Sequence, residues 1–192
     1  MVVVLGILGS PHPHGNTAAL LDAFMNGARD AGADTIQLDV TSLDISGCDA
    51  CNECQDTGDC VMMDDMTKVY DSIERADVLV LATPLYFSGM SSQLKAVIDR
   101  GQCLWHRARK GSGLRGKRGY LLAVGAMENA NFRNVLSEVR SYFIGVGISY
   151  QGEVTVPGIE SEGDILAHTL DLSRAYKMGY SAVSSGLTED SR

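Results

Sequence analysis

Five short runs of strand-forming residues punctuate the chain: Val2–Leu8, Thr35–Asp39, Val78–Thr83, Gly119–Val124 and Ile148–Val154. Between and after them, apolar residues recur every three or four positions. Asn16–Ala31 carries Leu20, Phe24, Ala28 and Ala31 on one face, and Asp64–Ala76 carries Met66, Val69, Tyr70 and Ile73. Ser91–Arg100 is helix-like, Asn131–Val146 aligns Phe132, Val135, Leu136, Val139 and Phe143, and Gly163–Ser184 aligns Ile165, Thr169, Leu172, Tyr176 and Val183. The runs predict buried strands and the periodic segments predict amphipathic helices. Their alternation predicts an α/β protein with a parallel sheet covered on both faces. The expected strand order is 2-1-3-4-5, with ligands at the carboxyl ends of the strands. Residues 1–186 are expected to form one domain and the polar residues 187–192 a frayed tail.

Two connections exceed what a minimal α/β unit needs, Val40–Met63 and Gly101–Lys117, and long connections in a compact domain are usually functional or mobile. At 192 residues and 45% apolar content, with 21 glycines, the chain suits a single α/β domain with tight turns. No apolar run is long enough for a bilayer and no basic segment precedes the first strand, so a cytoplasmic protein without membrane attachment is expected. A net charge of −8 argues against nucleic acid as a partner. The basic residues Arg107, Arg109, Lys110, Arg115, Lys117 and Arg118 nevertheless form a cluster. They read either as a solvated loop or as a dock for an acidic ferredoxin or a nicotinamide phosphate.

The first strand leads into Gly9-Ser10-Pro11-His12-Pro13-His14-Gly15-Asn16-Thr17 and then into a helix. A small-residue loop before a helix N-terminus presents unpaired backbone N–H groups and the positive end of the dipole, which favour an anion. Ser10, Asn16 and Thr17 add side-chain donors, and Asn16 is a candidate N-cap. A phosphate monoester is the expected occupant. The loop has neither a GxxxxGK[ST] nor a GxGxxG pattern, which argues against a nucleoside triphosphate and against a dinucleotide held here.

Four of the five cysteines fall in Cys48-x2-Cys51-x2-Cys54-x5-Cys60. Two consecutive x2 gaps place three thiolates on one turn of backbone, and Gly58 returns the chain to a fourth. Four thiolates in so compact a run point to an iron–sulfur cluster. Structural zinc, which more often uses two separated CxxC knuckles, and an empty thiol site are the alternatives. Asp64 or Asp65 is expected to cap the following helix, and Cys103 is expected to be a partly buried thiol outside the run.

After the third strand, Pro84-Leu85-Tyr86-Phe87-Ser88-Gly89 offers flat apolar surface and backbone amides, which suit a flavin ring. The fourth strand ends in the small residues Gly125-Ala126, which would admit a ring close to backbone. Taken together, GSPHPHGNT resembles the GSPR-x-x-GNT phosphate loop of the NAD(P)H-dependent FMN reductase-like branch of the flavodoxin superfamily. ATPLYFSGMSSQLKAVIDR resembles that branch's ring segment, and GCDACNECQDTGDCVMMDDM is similar to the cysteine motif of the iron–sulfur flavoproteins. The resemblance covers residues 2 to about 130. It implies a flavodoxin-like three-layer sandwich with an inserted cysteine-rich loop at 40–63. It also implies an FMN-dependent oxidoreductase or electron-transfer flavoprotein carrying a [4Fe–4S] cluster, with NAD(P)H or ferredoxin as donor, assembled as a homodimer or homotetramer. By position, Ser10, His12, Asn16 and Thr17 would hold the FMN phosphate, and Pro84, Leu85, Tyr86, Phe87 and Gly125 would contact the ring. Cys48, Cys51, Cys54 and Cys60 would hold the cluster. His12 stands where the family usually has Arg, a permanently charged bidentate phosphate partner that histidine does not replace in kind. The other readings are a cluster-free NAD(P)H-dependent FMN or quinone reductase, and a non-enzymatic redox-responsive flavin-binding regulator.

Overall fold

The computed structural model describes residues 1–184; the expected tail at 187–192 lies outside the described residues. Five strands form one parallel sheet in the order β2-β1-β3-β4-β5, as expected. They are β1 (Val3–Leu8), β2 (Asp34–Asp39), β3 (Val78–Pro84), β4 (Arg118–Val124) and β5 (Ser149–Val156). The three inner strands are apolar on both faces because helices cover both, whereas edge strands β2 and β5 are partly exposed. Seven α-helices are described: α1 (Asn16–Asp30), α2 (Cys54–Thr57), α3 (Met66–Arg75), α4 (Ser92–Arg100), α5 (Gln102–Arg109), α6 (Arg133–Val146) and α7 (Thr169–Ser184). The segment expected as one helix from Gly163 is a 3-10 turn, Asp164–Ala167, followed by α7.

Successive strand residues point to opposite faces and build two cores. Val4, Leu8, Val78, Val80, Leu122 and Val154 pack under α1 and α7. Leu5, Ile7, Leu79, Leu81, Leu121 and Ala123 pack under the face carrying α3 to α6. On the first face, α1 and α7 touch backbone to backbone. A Cβ at Gly27 would lie 2.0 Å from the Tyr176 carbonyl oxygen, and one at Gly179 would lie 2.0 Å from that of Phe24. No other residue permits that approach. The strand ends therefore converge at the carboxyl edge of the sheet between two rigid layers. Among the described residues no helix is long and apolar enough to cross a membrane.

Candidate functional site

The loop after β1 is closed by its own groups. Gly9 N–H donates to the Ala82 carbonyl at 2.8 Å, tying the end of β1 to β3. The buried Ser10 hydroxyl accepts from His12 N–H at 3.2 Å, and Gly15 N–H donates to the His12 carbonyl at 3.0 Å. Gly15, not Asn16, occupies the cap position of α1; its extended backbone has no side chain to close the helix, and no side chain caps it. The first turn also carries no acidic residue. Its amides are left to solvent or a ligand, and the helix dipole is not offset there.

Asn16 has a different task from the expected cap. Its Nδ2 donates to the Ser161 carbonyl at 2.8 Å, and its Oδ1 accepts from Gly163 and Ile165 N–H at 3.0 and 3.2 Å. These three bonds fasten the start of α1 to the loop between β5 and α7. His12 is exposed and Thr17 is buried.

Across the switch point, β3 runs into a two-residue hairpin. Tyr86 and Gly89 exchange backbone hydrogen bonds at 2.9 Å in both directions. Phe87 and Ser88, between them, take φ of 48° and 65°. Two left-handed positions make the primed turn that closes such hairpins, at a cost of about 1–2 kcal/mol for each non-glycine residue. The turn is held from below by buried Thr83 and Ser91. Thr83 Oγ1 accepts from Ser91 N–H at 3.0 Å, and Ser91 Oγ caps α4 through Leu94 N–H. Neither was legible as part of a site, because each acts on backbone eight or three residues away rather than through a motif. The result is an aromatic edge presented to solvent: Tyr86 is half-exposed and Phe87 fully so.

Seven of the nine expected flavin-binding residues line one cleft of about 290 Å³: Ser10, His12, Asn16, Thr17, Pro84, Leu85 and Tyr86. Phe87 and Gly125 do not line it. The space a side chain would take at Gly125 is filled by Ala130, Phe132 and Leu85, while its neighbours Val124 and Ala126 face the cleft. The cleft also includes Ile159, Glu160 and Glu162 from the loop that Asn16 fastens. The sequence offered only one signal for them, the Pro157-Gly158 break that ends the last strand.

The cysteine loop follows a 3-10 turn at Val40–Ser42. Ala50, Asn52 and Gly58 take left-handed backbone, and α2 is a single turn starting at Cys54. All five cysteines are free thiols; Cys48 and Cys51 are exposed, Cys54 and Cys60 are half-buried, and Cys103 is fully buried. All five line one cavity of about 310 Å³, so Cys103, expected to stand apart, shares the wall with the four-cysteine run. Burial pushes the Cys54 and Cys103 thiols above their ordinary pKa, with smaller contributions from neighbouring thiols, so both favour the protonated form in the absence of a cation. Among the described residues, no three His, Cys, Asp or Glu side chains are gathered tightly enough to enclose a single metal ion.

Three of the six residues of the basic cluster, Arg107, Lys110 and Lys117, hold neighbouring segments of the chain, while Arg109 and Arg115 are exposed. Arg107 Nε donates to the Gly58 carbonyl at 2.8 Å, and its terminal nitrogens pair with Asp59 and Glu74. Lys110 Nζ donates to the Gln55 and Asp56 carbonyls at 2.7 and 2.9 Å, and Lys117 Nζ donates to those of Glu74 and Ala76. Arg109 stacks over Trp105 at 4.8 Å. Arg107 and Lys110 are therefore what hold the segment from Cys54 to Cys60 in place. As expected, the pair closes the start of α3: Asp65 occupies the cap position and the Asp64 carboxylate accepts from Met66 N–H. Asp64 also pairs with the buried Arg100, and Asp65 accepts from Asp44 N–H.

A parallel sheet in this order, with ligand-type loops converging on its carboxyl edge, defines a flavodoxin-like protein. The chain belongs to the NADPH-dependent FMN reductase family, which matches residues 2–158. It is 34% identical over 141 residues to an iron–sulfur flavoprotein of Methanocaldococcus jannaschii, a match covering 73% of this chain and 71% of that one. Among solved structures, a flavone reductase superposes with a TM-score of 0.74 at 17% identity over 99% of this chain, which spans 65% of that protein's length. An NAD(P)H:quinone oxidoreductase from Methanothermobacter marburgensis superposes with a TM-score of 0.68 at 20% identity, covering 94% of each chain. These two show the shared fold. The chain is a flavin-dependent oxidoreductase.

Proposed function

We propose that this protein binds FMN in the cleft between the first loop and the Tyr86 turn and passes electrons between it and a [4Fe–4S] cluster held by Cys48, Cys51, Cys54 and Cys60. The observation that carries the flavin half is the uncapped N-terminus of α1 facing the aromatic turn across one cleft. Ser10, His12 and Thr17, with the first-turn amides of α1, hold the phosphate. Asn16 contributes by keeping the 161–165 loop closed against the helix start. Pro84, Leu85 and Tyr86 seat the ring, Phe87 covers its exposed side, and Gly125 lets the β4 end close behind it. The first 186 residues act as one flavin-binding domain.

The donor set of the second cavity fits a thiolate-bound metal group, because every candidate ligand is soft sulfur and all line one cavity. A single zinc ion would need its four sulfurs about 4 Å from one another, given a bond of about 2.3 Å. Thiols spread around a cavity suit a larger cluster better. FMN exchanges electrons in pairs or singly and an iron–sulfur cluster exchanges them singly, so together they convert two-electron into one-electron chemistry. The chain's own residues bind and orient both groups, and no side chain is assigned as a general acid or base. NAD(P)H or a reduced ferredoxin is the donor. The exposed apolar side chains of Phe87 and Met63 are surface that a second copy would cover in a homodimer or homotetramer. The spread of the thiols equally favours a second reading, a cluster-free NAD(P)H-dependent FMN or quinone reductase with a thiol flap.

Anaerobic reduction separates the two readings. Reduction by NADPH or reduced ferredoxin should bleach flavin and cluster absorbance together in the wild type. In Cys60→Ser it should bleach flavin alone. Identical spectra and electron uptake in the two proteins would favour the cluster-free reductase.

A further inference from the structure

Beneath the cysteine loop lies a buried ion pair that the flavin cleft does not use. Arg100, the last residue of α4, is 2% exposed although it carries a full charge. Its Nη1 lies 2.5 Å from Asp64 Oδ2 and 3.0 Å from the Ser46 carbonyl, and its Nη2 lies 3.1 Å from Asp64 Oδ1. Its backbone carbonyl is fixed from two sides by the Tyr70 hydroxyl at 2.8 Å and the Cys103 thiol at 3.5 Å. The two terminal nitrogens are therefore taken, and Nε is left. Nε is buried and has no hydrogen-bond partner among the described residues. Arg100 belongs to the wall of the five-cysteine cavity, beside Asp49 and Asp99, and Asp64 does not, so of the two partners it is Arg100 that adjoins the thiols. Asp64 is the leading partner of the guanidinium, and the Cys60 side chain is a further neighbour of it. An unpaired buried N–H is costly, and leaving it so beside an otherwise well-bonded guanidinium indicates a partner supplied from the cavity.

We propose that Arg100 is the charge-compensating residue of the cysteine cavity, directing a fixed positive charge and the Nε–H donor at the thiolate on the Cys60 side, with Asp64 holding the guanidinium in that orientation. The inference rests on the reading that the cavity holds a thiolate-bound metal group. Binding such a group converts neutral thiols into an anionic complex. A buried positive charge favours that complex and stabilises its more reduced, more negative state, which raises the reduction potential. Arg100 acts as a positioning and tuning residue, not a ligand.

The test uses the full chain loaded with FMN and two perturbations of opposite sign. In the double variant Arg100→Gln/Asp64→Asn both charges go while volume is nearly kept. In Asp64→Asn the charge facing the thiols stays and its counter-charge is removed. Potentiometric titration of the cluster should shift negative in the double variant by about tenfold in the reduced-to-oxidised ratio, about 59 mV for one electron. It should shift positive in Asp64→Asn. In parallel, apo-protein is titrated with Cd²⁺ alone, which needs no cluster assembly, and the double variant should bind about tenfold more weakly than wild type. Unchanged potential together with unchanged Cd²⁺ affinity in a double variant that still binds FMN would overturn the proposal. A wild type that takes up no iron but shows the Cd²⁺ difference would retire the cluster reading and leave the role of Arg100 standing.

Discussion

Removing Arg107 should release the cysteine loop without unfolding the sheet. Its Nε–Gly58 bond is a hydrogen bond from a charged donor to a carbonyl, a type worth about 1.5–3 kcal/mol. The ion pairs to Asp59 and Glu74 involve carboxylates that are 69% and 46% exposed, so each adds only about 0.2–1 kcal/mol. The Arg107 side chain is itself 30% exposed, which argues for the lower part of the combined range. Arg107→Ala should then destabilise the closed loop locally by about 2 kcal/mol, or about thirtyfold in its opening equilibrium. Amide hydrogen exchange read by mass spectrometry should show that acceleration in peptides spanning residues 54–60. Peptides from β3 should exchange at their wild-type rate. Arg107→Lys, which keeps the charge but not the planar fork, should fall between the two proteins. Unchanged exchange at 54–60 would refute the clamp, and equal acceleration in β3 would show that Arg107 supports the whole fold instead.

Three other outcomes follow from the same geometry. Asn16→Ala removes the bonds to Ser161, Gly163 and Ile165, so amides at 161–165 should exchange about tenfold or more faster and FMN affinity should fall; unchanged exchange would show that the loop is held otherwise. Burial would raise the Asp64 carboxyl, but its hydrogen bond from Arg100, with help from the Met66 and Ser46 amides, outweighs burial and holds it below the ordinary carboxylate range. That stability is present above the unfolded value of about 3.9 and is lost as pH falls through the folded one. Denaturant melts from pH 7 to 2 should therefore show Asp64→Asn about 3–5 kcal/mol less stable at pH 7 but with a flatter acid limb than wild type. Gly179→Ala forces α7 away from the Phe24 carbonyl and should cost at least about 1–3 kcal/mol, read as a lower thermal midpoint.

The strands were readable because three of the five are buried on both faces and show as unbroken apolar runs, and the order followed from the alternation of elements. The loop after β1 and the Tyr86 turn stood out in the sequence because each is a continuous stretch at a strand end, and the two line one cleft. What escaped reading was long-range. Helix α5 looks polar in isolation; only Cys103 and Leu104 of its eight residues are buried, and its Arg107 finds partners on the Gly58 loop about fifty residues away. Arg100 reads locally as a cation at a helix end, a common complement to the dipole. Its burial depends on Asp64, thirty-six positions earlier. Asn16 reads as a cap by residue type, yet its partners come from the far end of the sheet.

The most direct measurement is the visible spectrum of protein purified without oxygen, with FMN, iron and acid-labile sulfide determined on the same sample. The account predicts one FMN per chain, a broad shoulder near ~400 nm beside the flavin bands, and close to four irons and four sulfides per chain. Flavin without iron or sulfide would contradict the cluster and leave a simple FMN reductase. Absence of flavin even after reconstitution would contradict the assignment of the cleft itself.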